Sequence, residues 1–188
     1  MRPMLIAAPT LEPVSIAEMK SWLREDSSDE DQLIQALIAS ARMTLEAYTR
    51  RFFITQSWRI IFDAWPPGGD VIVIPFAPFQ TVSAIRIYDA SDVALALAPT
   101  SYRAPASSEE GRLIFRSAPP APGRSADGVE IDFAVGYGGL ATNVPEPLRR
   151  AIMMLVAHWR EKRGDDANDP LPAAAAQLAA PFRRWRLN

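Results

Sequence analysis

The sequence contains no cysteine. Disulfides, thiolate metal sites, iron–sulfur clusters and a cysteine nucleophile are therefore excluded. It has one histidine, His158, whereas a histidine-based metal site or a Ser-His-Asp triad needs that residue type in company. No run approaches the roughly 20 apolar residues of a membrane span. The apolar start before Pro9 falls short of the about 7–15-residue core of a secretory signal. These absences predict a soluble protein made in the cytoplasm, with no membrane partner. Charge of one sign is lacking too. The 20 basic and 22 acidic residues leave a net of −2, with a pI of 5.5. A protein that wraps nucleic acid usually shows a basic footprint.

The motif search is equally sparse. No serine lies in a G-x-S-x-G elbow, and neither G-x-G-x-x-G nor G-x-x-x-x-G-K-[ST] occurs. Gly136-Tyr137-Gly138-Gly139 follows a strand but reads as its exit turn. The acid pairs Asp26/Asp29, Glu109/Glu110 and Asp165/Asp166 fall in polar loops or at a helix start and read as solvated or capping carboxylates. His158 lies at the flank of an apolar helical stripe and reads as a packed or rim residue. No catalytic residue, cofactor site or metal site is expected, and the protein is not expected to be an enzyme.

What is present is an ordinary globular balance: 48% apolar and 22% charged residues over 188 positions, the size of one domain. Proline is abundant, at 17 residues, and punctuates short elements. Residues 1–13 read as an extended arm. Ser15 and Glu18 have the spacing of a capping box, with Val14 and Met19 placed as a hydrophobic staple, so a helix is predicted over 15–25. Ile16, Met19, Trp22 and Leu23 form its apolar side. Ser27 and Glu30 offer a second capping box for a helix over 29–52, where Leu33, Ile34, Leu37, Ile38, Ala41, Leu45, Tyr48 and Phe52 recur at helical spacing. Acids lead this helix and Arg50 and Arg51 end it, as the macrodipole favours.

From Ile54 the period falls to two. Short strands are predicted over 56–62, 71–74, 82–88, 93–97, 112–115 and 129–135, separated by a Pro66-Pro67-Gly68-Gly69 turn and by loops over 104–111 and 117–128. A third helix over 146–163 carries Leu148, Ile152, Leu155, Val156 and Trp159, with Gly164 as its stop. Leu37, Leu45, Ile152, Leu155 and Trp159 are expected in one helical core. The predicted class is α+β: two N-terminal helices and one C-terminal helix, with an antiparallel β-region of about six short strands over 54–139 inserted between them. Residues 1–164 read as one domain, 165–172 as a linker and 173–188 as a tail.

The tail ends in Phe182, Arg183, Arg184, Trp185 and Arg186. Aromatic and arginine side chains are the types enriched at interface hot spots. The segment reads as a docking element, as a frayed amphipathic end, or as a nucleic-acid contact, since arginine and tryptophan also suit phosphates and bases.

The ordered set of segments resembles the head–tail connector, or adaptor, family of long-tailed bacteriophages, found also in prophages and gene transfer agents. Six stretches carry the resemblance: residues 13–24, 29–49, 54–58, 74–90, 133–138 and 144–159. The last, ending in Val156-Ala157-His158-Trp159, is the most telling, and residues 93–128 match least. The resemblance implies a structural protein of the virion, at the head–tail interface. It implies a ring of copies, twelvefold, beneath the portal protein. That ring extends the DNA channel and offers a surface to the stopper or tail-completion protein, while double-stranded DNA passes without sequence-specific binding. Phe182, Arg183, Arg184, Trp185 and Arg186 would then contact the portal or a neighbouring subunit. The competing function is a DNA-binding or DNA-packaging accessory protein, motivated by the arginines of the tail.

Overall fold

The computed structural model describes residues 1–67, 70–162 and 171–184. Along the chain these form β1 (Arg2–Ala7), α1 (Ile16–Leu23), α2 (Asp31–Thr49), β2 (Gln56–Phe62), β3 (Val71–Ile74), β4 (Phe79–Tyr88), β5 (Ala94–Ala96), β6 (Tyr102–Arg103), β7 (Gly111–Phe115), β8 (Val129–Val135), α3 (Glu146–Glu161) and α4 (Ala173–Ala179). The class is α+β, and every strand pairing is antiparallel. The chain divides into two compact units, one of strands and one of helices.

The β unit comprises residues 1–9 and 55–137. Its larger sheet runs β1-β2-β8-β4-β5, and its smaller one β3-β7-β6. Alternation explains the larger sheet. Ile60 on β2 and Ile85 on β4 both register with Ile131 on β8, and all three are buried. Their neighbours Arg59 and Asp132 pair on the opposite face. Aromatic rings fill the buried side: Phe76 lies 5.3 Å from Trp58 and 5.2 Å from Phe133, and Phe79 stacks on Phe133 at 6.3 Å. Gly111 is required here, because a Cβ at that position would stand 2.3 Å from the buried Phe79 ring. Gly136 ends β8 at φ 124°, a conformation comfortable only for glycine.

Two strands are additional to those expected. The N-terminal arm is β1, an edge strand paired with β2. All six of its residues are exposed, so no buried alternation betrays it. Tyr102–Arg103 is the second, too short for a period to register. The fourth strand begins at Phe79, three residues earlier than predicted. Register shifts between Phe79 and Thr81 and between Val82 and Ala84 break the two-residue period there.

The helical unit takes residues 10–54 and 138–188. The capping box at its start is present: the Ser15 hydroxyl accepts from the Glu18 N–H, and the Glu18 carboxylate accepts from the Ser15 N–H. Val14 and Met19 are both buried, as a staple requires. The second box does not form. Ser27 accepts instead from the Asp29 N–H, and the Glu30 carboxylate is drawn to Arg160 on α3. A tertiary ion pair thus outcompetes a local cap, and α2 starts at Asp31.

Helix α2 also stops at Thr49, three residues short of the predicted end. Arg50 turns left-handed at φ 56°. The Phe53 N–H then donates to Glu46 Oε1 at 2.7 Å, and Glu46 is held by Arg42 Nη1 at 2.8 Å. Phe53 and Ile54, not Phe52, are the buried apolar residues of this exit. The buried stripe of α2 is Ile34, Ile38, Ala41, Leu45 and Thr49, and that of α3 is Leu148, Ala151, Ile152, Leu155 and Val156. Leu37 and Trp159, expected in the same core, are only half-buried, one step round their helices from the packed face. The predicted linker over 165–172 and the stop at Gly164 lie almost wholly outside the described residues.

Candidate assembly surfaces

The C-terminal segment is built into the helical unit. Short alanine side chains let α4 lie close: Ala175 and Ala179 are fully buried, and α4 packs mainly on α3 and also on α2. The chain then meets the end of α2. Arg51 Nε donates to the Phe182 carbonyl at 2.7 Å, and the Arg184 N–H donates to the Thr49 carbonyl at 3.0 Å. The Arg183 guanidinium lies 5.1 Å from the centroid of the Tyr48 ring, within cation–π range. One carbonyl left over at the end of α2, that of Thr49, is thereby satisfied. Residues 173–184 are therefore part of the packed unit and do not hang from it. Deletion from 173 onward removes buried surface.

Of the five tail residues singled out, the structure brings Phe182, Arg183 and Arg184 together at the C-terminal end of α2, beside Arg50 and Arg51. Phe182 is half-buried, held there by its backbone carbonyl. Trp185 and Arg186 lie outside the described residues.

A second surface was not legible as such. Trp22, expected on the apolar side of α1, is 42% exposed. It borders a shallow groove between α1 and α3 lined by Ala17, Glu18, Ser21, Arg149 and Met153. Arg150 sits 5.6 Å over its ring. The groove floor is pinned by Arg149, which binds Glu18, Glu146 and the Pro13 carbonyl. The Glu18 carboxyl is held below its ordinary pKa, chiefly by the Ser15 N–H with help from Arg149. Nothing in the sequence separated Trp22 from Ile16, Met19 and Leu23, since neighbouring helical residues can share one apolar face.

The third surface is the charged face of the five-stranded sheet, whose side chains are half-buried. Arg59 on β2 makes two bonds to Asp132 on β8, at 2.6 and 2.9 Å, and Arg86 on β4 reaches the same carboxylate at 2.7 Å. Glu130 Oε2 lies 3.1 Å from Arg59 and 3.7 Å from Arg86, a charge contact without hydrogen-bond alignment. Burial pushes the Asp132 pKa up, but the Arg59 and Arg86 bonds outweigh it and hold the carboxyl below its usual value. In the helical unit Glu46 goes the other way. Burial raises its pKa, and the Phe53 N–H and Arg42 offset this only in part.

Ion pairs of this kind hold strands and helices in register. Among the described residues, no three His, Asp or Glu side chains converge as metal ligands would. His158 lies half-buried in the last turn of α3, where its carbonyl accepts the Lys162 N–H. Among the described residues no helix is long and apolar enough to cross a membrane.

Comparison with known proteins places this arrangement. A family model described as "Head completion protein" matches residues 12–168. No curated protein matches the chain. Among solved structures, a chain from the neck of an empty gene transfer agent particle, computed with C6 symmetry, superposes with a TM-score of 0.85 at 27% identity, covering 100% of this chain and 98% of that one. A chain from the virion of the native gene transfer agent particle gives 0.84 at 27% identity with the same coverage. One from the native neck, computed with C12 symmetry, gives 0.79 at 26% identity, again over 100% and 98%. With the family model spanning α1 to α3 and all the strands from β2 to β8 between them, the chain belongs to the head completion protein family of head–tail connectors, structural components of the virion.

Proposed function

We propose that the chain forms a ring in the neck of a phage-like particle, joining the DNA-filled head to the tail and extending the channel through which DNA passes. The observation that carries this reading is the end-to-end likeness, at a TM-score of 0.85, to a chain in the neck of a gene transfer agent particle. The C6 and C12 symmetries named for those necks favour a ring of copies, and twelve is the number we assign. The ring sits beneath the portal protein and presents its other side to a stopper or tail-completion protein. It does no chemistry. Such a closed ring is built from heterologous contacts, with two unlike surfaces on each subunit.

In this reading the end of the helical unit formed by Phe182, Arg183 and Arg184, continuing into Trp185 and Arg186, contacts the portal or the next subunit. Arginine and aromatic side chains carry a large share of interface energy when desolvated. The paired charges of the other surfaces keep the net charge small, which limits non-specific adhesion to passing DNA.

Imaging of particles decides the matter. Cells lacking the protein should yield DNA-filled heads without tails. Restoring it should return tailed particles with a ring of density at the neck. Tailed particles in its absence would overturn the reading. A gel shift with double-stranded DNA tests the accessory-protein alternative: tight, steeply salt-dependent binding would favour it.

A further inference from the structure

Helix α2 has an outward face that carries no charge. Asp31 opens the helix and Arg50 caps it, and between them the only ionised side chains, Arg42 and Glu46, are tucked inward and paired with each other. The exposed residues of the helix are Gln32, Leu33, Gln35, Ala36, Ser40, Met43 and Ala47. Of these, Leu33, Ala36, Ser40, Met43 and Ala47 form a seam spaced alternately three and four residues apart, flanked by the uncharged Gln32 and Gln35. Leu33 is 42% exposed and Met43 61%. A helix face left to water ordinarily carries charged and polar residues. This one has the spacing and composition of a helix–helix contact, with small residues at Ala36, Ser40 and Ala47 to admit a close neighbour.

The seam is also symmetrical about Ser40. Laid antiparallel on a second copy of itself, Leu33 faces Ala47, Met43 faces the Ala36–Leu37 step, and Ser40 meets Ser40. Leu33 thus meets a small residue, and Met43 packs over the small Ala36 beside Leu37. The same register sets Asp29 and Glu30 opposite Arg51 and Arg50, so each acidic start meets a basic end. Glu30 and Arg51 also have partners within their own chain, Arg160 and the Phe182 carbonyl, but their charges still complement across such a pair.

We propose that the free protein pairs through this face, with α2 of one copy antiparallel to α2 of the other and Ser40 on the two-fold axis. The contact is isologous, so it closes at two copies and differs from the heterologous contact of a ring. It describes the protein off the particle and does not rest on the ring. A 19-residue helix is about 28 Å long and about 10 Å wide. The face thus offers a few hundred Å² per partner, against the about 800 Å² of a standard stable interface. The pair is accordingly reversible, and weaker in high salt.

The test uses the full chain. Sedimentation at low salt should show an average mass of 20.7 kDa at about 1 μM, rising toward twice that near 100 μM, a range set by the small contact area. Ser40→Arg puts like charges on the axis and should hold the protein at single-chain mass throughout, with its thermal melt unchanged. Cysteine pairing reads the orientation, since the chain has no native cysteine. Oxidised Ser40→Cys should link to itself. Leu33→Cys and Ala47→Cys should link when mixed, and each far less alone. Single-chain mass at all concentrations overturns the proposal. So does a ring-sized species, or self-linking of Leu33→Cys as efficient as the mixture. None of these results bears on whether particles lacking the protein fail to gain tails.

Discussion

Two faces of the molecule treat charge in opposite ways. The charged face of the five-stranded sheet concentrates it: Arg59, Arg86, Glu130 and Asp132 interlock across three strands. The outer face of α2 excludes it over four turns. On the sheet every charge is answered from the neighbouring strand, so the face is complete within one chain and contributes to its folding. On α2 the buried side carries the folding energy and the outer side contributes almost nothing to it. A face that is energetically idle in one chain yet free of charge is shaped by something other than the stability of that chain.

The largest effect that sharpens this contrast comes from opposite sides of α2. Leu45 is fully buried, and Leu45→Ala should cost about 2–5 kcal/mol in denaturant unfolding. Leu33→Ala, on the idle side, should stay within about 0.5 kcal/mol. Equal costs would show that the outer face is packed after all.

Next in size is Arg59→Ala, which leaves Asp132 and Glu130 short of their main partner. A loss of roughly 1.5–3 kcal/mol is expected, the range for hydrogen bonds to charged groups. A smaller effect is seen through pH. The folded-state pKa of Asp132 is lowered from the ordinary 3.8, so its contribution to stability is present above that value and is lost as the pH falls through the lowered one. Asp132→Asn should flatten acid unfolding in that window, and an unchanged profile would mean that the Arg59–Asp132 pair is not an acid-sensitive element. Smallest of all, Ser40→Arg should leave the melting curve of the single chain where it was, within about 0.5 kcal/mol.

How far this could be seen beforehand depends on how local the governing interaction is. The capping box at Ser15 needs only four residues, and it is where the spacing put it. The buried strand β8, whose alternation is unbroken, is similarly plain. The box at Ser27 fails because Arg160, 130 residues away from Glu30, takes the carboxylate. β1 was readable only as extended, since an edge strand with every side chain exposed has no amphipathic period. The tail residues were noticed for their composition, and three of them do gather at one end of α2. That Ala175 and Ala179 bury against the unit was hidden, because an alanine run has a helix propensity but no stripe. The uncharged side of α2 lay open in the sequence throughout. Its meaning required knowing which side is covered.

The interleaving of the two units along the chain sets an order on their making. All five strands of the larger sheet have been synthesised by Val135, and domains begin to fold as they emerge. The helical unit is different. Its first half, through Ile54, appears early but must wait for α3, and then for Ala173–Phe182, before its core can close. For that interval the apolar side of α2 is exposed on a nascent chain whose β unit is already able to fold. The helical half is thus where a stalled or prematurely ended product becomes sticky, and where a chaperone holding a newly made chain would find its target.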